Sequence, residues 1–195
     1  MRITGGDWRS RRLEAPKGDA TRPTSDRVRE ALFSMLVSEG VFGERAGDLR
    51  VLDLYAGTGA LAFEALSRGA STAVLVDEAR AAIAAIQKNV RSLGAERRVE
   101  VVASPVDRAL ARLERGATRF GLVFADPPYA DVADAAFVGI LASVAALMEP
   151  EAVFVLEHAS KDDAPAVKGL EHDRSRTHGT TTLSFYRRSG DPSVP

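Results

Sequence analysis

The chain of 195 residues contains no cysteine. This absence excludes disulfide bonds, thiolate zinc sites, cysteine nucleophiles and iron–sulfur clusters together. The three histidines, His158, His172 and His178, lack the spacing of metal ligands, and we expect no bound metal. A chain without disulfides is compatible with the cytoplasm, which is the location that we predict.

Long apolar runs are missing as well. No stretch approaches the length of a membrane-spanning helix, and the N-terminal residues lack the apolar segment of a signal peptide. We therefore expect no membrane contact. The chain also has neither a Gly-x-x-x-x-Gly-Lys phosphate loop nor a nucleophile elbow. The formal net charge of −1 argues against a protein that coats nucleic acid over its whole surface.

What the chain does contain is a regular alternation of strand and helix patterns. Apolar runs predict strands at residues 50–55, 72–77, 99–103, 121–125, 151–157 and 180–187. Helical spacing predicts helices at residues 59–67, 78–93, 106–113 and 131–148, and an earlier helix that begins near Thr24 or Ser25. The alternation implies an α/β fold with a mostly parallel sheet and helices on both faces. The last two strands have no helix pattern between them and can pair antiparallel.

The first strand ends in a glycine-rich turn, Asp53-Leu54-Tyr55-Ala56-Gly57-Thr58-Gly59. Gly57 and Gly59 allow a ligand to approach the backbone where the turn enters the next helix. With Ala62, these glycines also fit the fingerprint of a dinucleotide-binding turn. Asp53 favours a cationic ligand, because a carboxylate at this place repels a pyrophosphate. S-adenosylmethionine carries an ammonium and a sulfonium and meets this requirement.

The ends of the next two strands carry further candidates for cofactor contacts. Asp77 ends the second predicted strand, where a carboxylate can accept both hydroxyls of a ribose. That interpretation fits NAD as well as S-adenosylmethionine, and an N-cap for the following helix is the structural alternative. Ser104 and Val106 follow the third strand, at the place expected for the edge of an adenine ring.

The fourth strand leads into Asp126-Pro127-Pro128-Tyr129. Ligands of open α/β sheets bind at the carboxyl ends of the strands, which is where this tetrapeptide lies. The Asp126 carboxylate and the Pro127 carbonyl can each accept one N–H of an exocyclic amine, while Tyr129 offers a face for a base to stack on. The prolines fix φ and add no competing N–H. A plain Pro-Pro turn would explain neither the acid nor the aromatic residue.

The N-terminal segment is basic although the chain as a whole is not. Residues 1–30 carry eight Lys and Arg against five Asp and Glu. Phosphate contacts depend on such locally concentrated cations. The candidates for RNA contacts on this segment are Arg9, Arg11, Arg12, Arg22, Arg27 and Arg29. Arginines paired with Asp7, Glu14 or Asp19 in a purely structural arm are the alternative.

Five blocks of the chain resemble the RsmD-type 16S ribosomal RNA guanine-N2 methyltransferases. They are Arg-Ile-Thr-Gly-Gly at 2–6, Thr-Arg-Pro-Thr-Ser-Asp-Arg-Val-Arg-Glu-Ala-Leu-Phe at 21–33, the turn at 53–61, Glu-Ala-Leu-Ser-Arg-Gly-Ala at 64–70, and the tetrapeptide at 126–129. Many amino-methyltransferases share the tetrapeptide, whereas the block at 21–33 is much more specific. The likeness extends along nearly the whole chain.

The resemblance implies a doubly wound, mostly parallel seven-stranded sheet of the class I S-adenosylmethionine-dependent methyltransferase type, with an N-terminal arm and helix. It implies a basic arm and helix at 1–48, a catalytic domain at 49–190 and a tail at 191–195. By the same resemblance, Asp53, Tyr55, Ala56, Gly57, Gly59 and Asp77 line the S-adenosylmethionine site, Ser104 and Val106 lie beside the adenine, and residues 126–129 hold the amine. The resemblance also implies S-adenosylhomocysteine as the product and 16S rRNA of the small subunit as the partner, and we expect a monomer.

Three other functions stay open from the residues alone. An adenine-N6 or cytosine-N4 methyltransferase shares the tetrapeptide. A nicotinamide-dependent oxidoreductase accounts for the glycines and Asp77 but leaves residues 126–129 unexplained. A non-catalytic RNA-binding assembly factor would retain the fold without a need for Asp53 and Asp126.

Overall fold

The computed structural model describes residues 1–15, 26–44, 46–128 and 134–190. Within these ranges the chain alternates between strands and helices, as the apolar pattern predicts. The helices are α1 (Asp26–Ser38), α2 (Ala60–Ser67), α3 (Arg80–Leu93), α4 (Val106–Glu114) and α5 (Ala135–Leu147). The strands are β1 (Arg50–Leu54), β2 (Thr72–Asp77), β3 (Val99–Ala103), β4 (Phe120–Ala125), β5 (Met148–Ala159), β6 (Leu170–His178) and β7 (Thr181–Arg188).

The chain divides into two compact units, residues 1–105 and 106–195. In the first unit, β1 and β3 both pair with β2 in parallel. Asp53 is in register with Leu75, and Asp77 with Ala103, so these three strands place their carboxyl ends at one edge. The last four residues of β1 are buried, which explains why this strand is almost continuously apolar.

The N-terminal residues fold back on themselves in the first unit. An antiparallel bridge joins Arg2 to Arg12, the Ile3 N–H donates to the Arg11 carbonyl at 3.0 Å, and the Leu13 N–H donates to the Met1 carbonyl at 3.2 Å. Ile3 and Leu13 are buried and place their apolar side chains in the core. We refer to residues 1–14 as the N-terminal hairpin.

In the second unit, β5 pairs in parallel with β4 and antiparallel with β7. The antiparallel pairing of the last two predicted strands is therefore confirmed, with Leu156 opposite Ser184. The strand pattern missed β6, which pairs with β7. Most of β6 is polar and at least partly exposed, so it has no apolar run to reveal it. It supplies the seventh strand of the described chain.

The predicted α/β fold with seven mostly parallel strands is thus confirmed. Strand and helix ends differ from the prediction by a few residues: β5, for example, begins at Met148 rather than at 151. The division at residues 48 and 190 stays a prediction, and residues 191–195 lie outside the described ranges. None of the described helices is long and apolar enough to cross a membrane.

Candidate cofactor and amine-binding site

The turn after β1 departs from ordinary backbone geometry at three residues. Tyr55, Gly57 and Gly59 all have positive φ, at 59°, 56° and 77°. A positive φ costs a non-glycine residue of order 1 kcal/mol or more, so Tyr55 is held there by its surroundings. The turn comprises residues 55–59, and we call it the cofactor turn.

The two glycines of the cofactor turn serve different purposes. A Cβ on Gly57 would approach only the Tyr55 carbonyl oxygen, at 3.9 Å, so the space beside Gly57 is open to a ligand. A Cβ on Gly59 would lie 2.5 Å from Phe63 Cε2 and 2.6 Å from Leu75 Cδ2. Gly59 as a ligand contact stays a prediction. Its missing side chain lets α2 pack against β2.

Asp53 lies near the end of β1 and is only 2% exposed. One carboxylate oxygen accepts the Ala62 N–H at 3.1 Å, which ties β1 to the first turn of α2. Burial raises the pKa of Asp53 from 3.8 to about 8, the Ala62 hydrogen bond lowers it in part, and the neighbouring Asp77 raises it further. A buried carboxyl group of this kind gains most from a cationic partner, because a nearby positive charge favours the ionised form.

Asp77 ends β2 and braces two parts of the first unit. Its Oδ2 accepts the Gly57 N–H at 2.8 Å, and its Oδ1 accepts the Ala79 N–H at 2.9 Å just before α3 begins. Asp77 therefore contacts the backbone just before α3, but it is not the N-cap, which is Ala79 and has no side-chain cap. Each carboxylate oxygen can accept a second hydrogen bond, and Asp77 is partly exposed. Ribose binding by Asp77 stays a prediction.

The remaining candidates for cofactor contacts follow β1 and β3 in the chain. The Ala56 N–H donates to the Val76 carbonyl at 3.0 Å, which holds the cofactor turn against β2. Ser104 is partly exposed after β3, and its N–H donates to the Asp77 carbonyl at 3.0 Å. Val106 is buried as the first residue of α4. The adenine contacts of Ser104 and Val106 stay predictions.

In the second unit, Asp126, Pro127 and Pro128 follow β4 directly, as predicted. Asp126 is partly exposed, Pro127 is buried and Pro128 is exposed. The buried proline fixes the backbone between an accessible carboxylate and an exposed residue. Tyr129, the fourth candidate for the amine site, lies outside the described residues.

Four of the six arginine candidates lie on exposed positions. Arg9, Arg11 and Arg12 are exposed on the N-terminal hairpin, and Arg27 is exposed on α1. The Arg11 guanidinium donates to the Ser92 carbonyl on α3. No ion pair joins the three hairpin arginines to Asp7 or Glu14, which lie in the described part of the chain with them. Arg22 lies outside the described residues.

The prediction for Arg29 was wrong. We expected its guanidinium to contact RNA, but the side chain is fully buried. The guanidinium pairs with Asp26 at 2.8 Å, lies 3.6 Å from a Glu64 oxygen and donates to the Arg2 carbonyl. Arg29 therefore connects α1 to the N-terminal hairpin and to α2, and it offers no charge at the surface.

Glu64 on α2 is the centre of this buried network, and the sequence analysis gave it no role. It accepts the Thr4 N–H and hydroxyl at 2.8 and 2.7 Å, the Gly5 N–H at 2.8 Å, and the Arg68 guanidinium at 2.9 Å. A Cβ on Gly5 would lie 2.3 Å from the Arg68 guanidinium, which would have to shift to make room for it. Glu64 holds the hairpin against α2.

Asn89 on α3 is a second residue whose role was missed. The sequence places it in a polar triplet, 87–89, that we would assign to a solvated face, but Asn89 is fully buried. It contacts both the cofactor turn and the N-terminal hairpin. Helical spacing contained the signal, since Asn89 lies three residues after Ile86 and four before Leu93 on the buried face.

Comparisons with known proteins identify the family and the fold. The family model described as Conserved hypothetical protein 95 matches residues 1–187. Ribosomal RNA small subunit methyltransferase D of Escherichia coli K12 is 34% identical over 195 residues, which cover 96% of this chain and 90% of that protein. The solved structure of the Escherichia coli protein yhhF has a TM-score of 0.80 and 34% identity over 98% of this chain and 99% of its own.

A more distant likeness concerns the fold alone. The S-adenosylmethionine-dependent methyltransferase from Agrobacterium tumefaciens has a TM-score of 0.61 and 17% identity, over 82% of this chain and 62% of its own. The predicted fold type and the predicted family are both confirmed. The chain belongs to the Conserved hypothetical protein 95 family, the family of ribosomal RNA small subunit methyltransferase D.

Proposed function

We propose that this protein is an rRNA methyltransferase that transfers the methyl group of S-adenosylmethionine to the exocyclic N2 amine of a guanine in 16S rRNA. The relative from Escherichia coli K12 is by name a methyltransferase of the small-subunit rRNA, and 96% of this chain aligns with it. The proposal includes action as a monomer in the cytoplasm. The observation that carries it is the buried Asp53 next to a turn whose Gly57 leaves open space for a ligand.

The buried Asp53 beside this turn favours S-adenosylmethionine over a dinucleotide. Its carboxyl group offers no positive charge to the pyrophosphate of NAD, whereas the ammonium of S-adenosylmethionine would favour its ionised form and pair with it. The Gly57 N–H, which a pyrophosphate would need, already donates to Asp77 at 2.8 Å. Bound S-adenosylmethionine supplies the methyl group and the positive charge on sulfur. Asp77 holds the ribose, and Ser104 and Val106 lie along the adenine.

The segment after β4 orients the amine in this proposal. An exocyclic amine is a poor nucleophile because its lone pair is delocalised into the ring. Hydrogen bonds from its two N–H groups to Asp126 and the Pro127 carbonyl direct the lone pair towards the methyl carbon and stabilise the positive charge that develops on nitrogen. When bound, S-adenosylmethionine would give up its methyl group as the C–S bond breaks and the N–C bond forms, and it would leave as S-adenosylhomocysteine. The methylated amine would lose its proton to water. The burial of Pro127 supports a fixed position for its carbonyl.

The experiment is methyl transfer with a defined product. The protein is incubated with unmodified 30S subunits, or with unmodified 16S rRNA transcript, and tritiated S-adenosylmethionine, and the nucleosides are mapped by mass spectrometry. We expect N2-methylguanosine at one position, and none with Asp126→Ala. Methyl groups on adenine N6 or cytosine N4 would support the other nucleic-acid methyltransferases. Calorimetric binding of NADH in place of S-adenosylmethionine would support the oxidoreductase, and RNA binding without transfer would support the assembly factor.

A further inference from the structure

The Asn89 side chain makes three hydrogen bonds to described residues, and they join two segments that are distant in sequence. Its Nδ2 donates to the Thr58 carbonyl of the cofactor turn at 3.0 Å and to the Glu14 carbonyl of the N-terminal hairpin at 3.1 Å. Its Oδ1 accepts the Glu14 N–H at 2.8 Å. The amide orientation follows from the partners, because a flipped amide would face its oxygen to two carbonyls. Both donors of this buried side chain are used.

A second contact between hairpin and turn lies at the other end of the hairpin. The Thr58 hydroxyl is 3.4 Å from the Met1 sulfur, and Thr58 is only 8% exposed. The turn between Tyr55 and Gly59 is therefore held by Asp77 on one side and by Asn89 and Met1 on the other. Movement of Thr58 would disturb the Asn89 side chain, and through it Glu14.

The exposed arginines belong to the same hairpin. Arg9, Arg11 and Arg12 lie between the two ends that Met1 and Glu14 hold. The Arg11 guanidinium also donates to the Ser92 carbonyl, one helical turn beyond Asn89 on α3. A ligand bound to these arginines restrains the hairpin, and a ligand bound at Gly57 restrains the turn. Asn89 touches both restrained segments.

We infer that Asn89 is a positioning residue that couples the N-terminal hairpin to the cofactor turn, so that RNA on the hairpin and S-adenosylmethionine at the turn strengthen each other's binding. Coupling of this kind is reciprocal by thermodynamic linkage, and each ligand changes the affinity for the other by the same factor. A ligand that orders a shared segment lowers the ordering cost for the next one. The inference rests on the proposed function, since it needs both ligands.

Hydrogen exchange tests the link in the wild-type protein without RNA. Calorimetry first establishes saturation with S-adenosylhomocysteine. At saturation we expect hydrogen exchange at the Glu14 amide, which donates to Asn89, to slow by about threefold or more. Each 1.4 kcal/mol of added protection slows exchange tenfold. Unchanged exchange in the hairpin at saturation would overturn the inference. No binding of S-adenosylhomocysteine would instead overturn the proposed function.

Two matched variants locate the coupling. Asn89→Ala removes the link to the turn. Ser67→Ala also removes a buried anchor of the hairpin, since Ser67 Oγ accepts the Trp8 N–H at 2.8 Å and donates to the Gly5 carbonyl at 2.6 Å, but it does not contact residues 55–59. We expect the exchange effect to vanish in Asn89→Ala and to persist in Ser67→Ala. Persistence in folded Asn89→Ala would show that protection reaches the hairpin without Asn89 and would overturn its role.

The final measurement is the affinity for RNA with and without the cofactor product. Unmodified 16S rRNA transcript is titrated with each protein in the absence and presence of saturating S-adenosylhomocysteine. We expect the product to tighten RNA binding about fivefold or more in wild type and Ser67→Ala, the lower end of usual coupling, and less than about twofold in Asn89→Ala. A merely structural Asn89 would weaken both affinities and leave their coupling intact. Wild type that methylates RNA but shows no coupling would overturn the inference and leave the proposed function standing.

Discussion

Asp53→Asn should make the stability of this protein less dependent on pH. The substitution keeps the volume of the side chain and leaves an oxygen to accept the Ala62 N–H, which now lies 3.1 Å from the carboxylate. It removes the ionisable group. Because burial raises the pKa of Asp53 to about 8, the folded wild type retains a proton that the unfolded chain, with an ordinary carboxyl, releases above about pH 4.

The sign follows from proton linkage. Between about pH 4 and pH 8 the folded state binds more protons than the unfolded state, so the free energy of unfolding falls as the pH rises through this window. A pKa of about 8 makes that loss about 3–4 kcal/mol between pH 5 and pH 8.

Urea unfolding of wild type and Asp53→Asn at pH 5, 6, 7 and 8 measures this effect. The difference between the two proteins cancels the titration of groups that do not interact with Asp53. We expect the variant to gain stability relative to wild type steadily from pH 5 to pH 8. A difference that stays constant within about 0.5 kcal/mol would refute the raised pKa and the inferred burial of an uncompensated carboxyl group.

The same carboxyl group predicts a proton released on cofactor binding. If the ammonium of S-adenosylmethionine needs ionised Asp53, calorimetry at pH 7 in buffers of different ionisation enthalpy should show release of about 0.9 proton, the fraction protonated for a pKa of about 8. Asp53→Asn should bind more weakly and release no proton. Equal proton release in the two proteins would assign it to another group.

Four further predictions concern single roles. Asp126→Ala should abolish methyl transfer in the tritium assay while calorimetry still shows S-adenosylmethionine binding. Asp77→Ala should weaken that binding by roughly ten- to a hundredfold, for a loss of about 1.5–3 kcal/mol, and an unchanged dissociation constant would place the ribose elsewhere. Arg29→Ala should lower the free energy of unfolding in urea by about 3 kcal/mol, since it breaks a buried ion pair, with no change in the salt dependence of RNA binding by the folded protein. Replacement of three exposed residues together by alanine should have the opposite effect, and these are Arg9, Arg11 and Arg12. The slope of the logarithm of the RNA affinity against the logarithm of the salt concentration should fall by about 2, while stability and cofactor affinity are retained. A slope equal to that of wild type would contradict the prediction.

Local sequence patterns predicted the bounds of a strand correctly where the strand is a short apolar run between turns. The strands at Thr72–Asp77 and Val99–Ala103 were predicted with their observed bounds, because both are short, apolar or β-branched, and bounded by turns. β6 was missed because it pairs with β7 alone among the described strands and most of it is at least partly exposed. A strand of this kind is stabilised by its partner's backbone, which its own residues do not reveal.

Arg29 and Asn89 show a different reason for failure. Each has polar partners that are far away in sequence. The residues next to Arg29 in the chain do not reveal that Glu64 lies beside it. Those next to Asn89 do not reveal its contacts with Thr58 and Glu14. Charge counting therefore assigned Arg29 to the surface, and composition did the same for Asn89. The positions of candidate residues at strand ends could be predicted from topology, whereas the partners of buried polar groups could not.

Buried polar groups in the first unit gather around one region, and this has a functional meaning. Asp53, Glu64 and Asn89 are all at most 2% exposed, and all lie on the elements that surround the cofactor turn. A protein selected for stability alone would place apolar residues there, since buried charges and amides are costly unless every partner is in place. Glu64 and Asn89 have those partners in the N-terminal hairpin. Asp53 accepts one backbone N–H and burial raises its pKa, so a cationic group of a ligand would stabilise its ionised form.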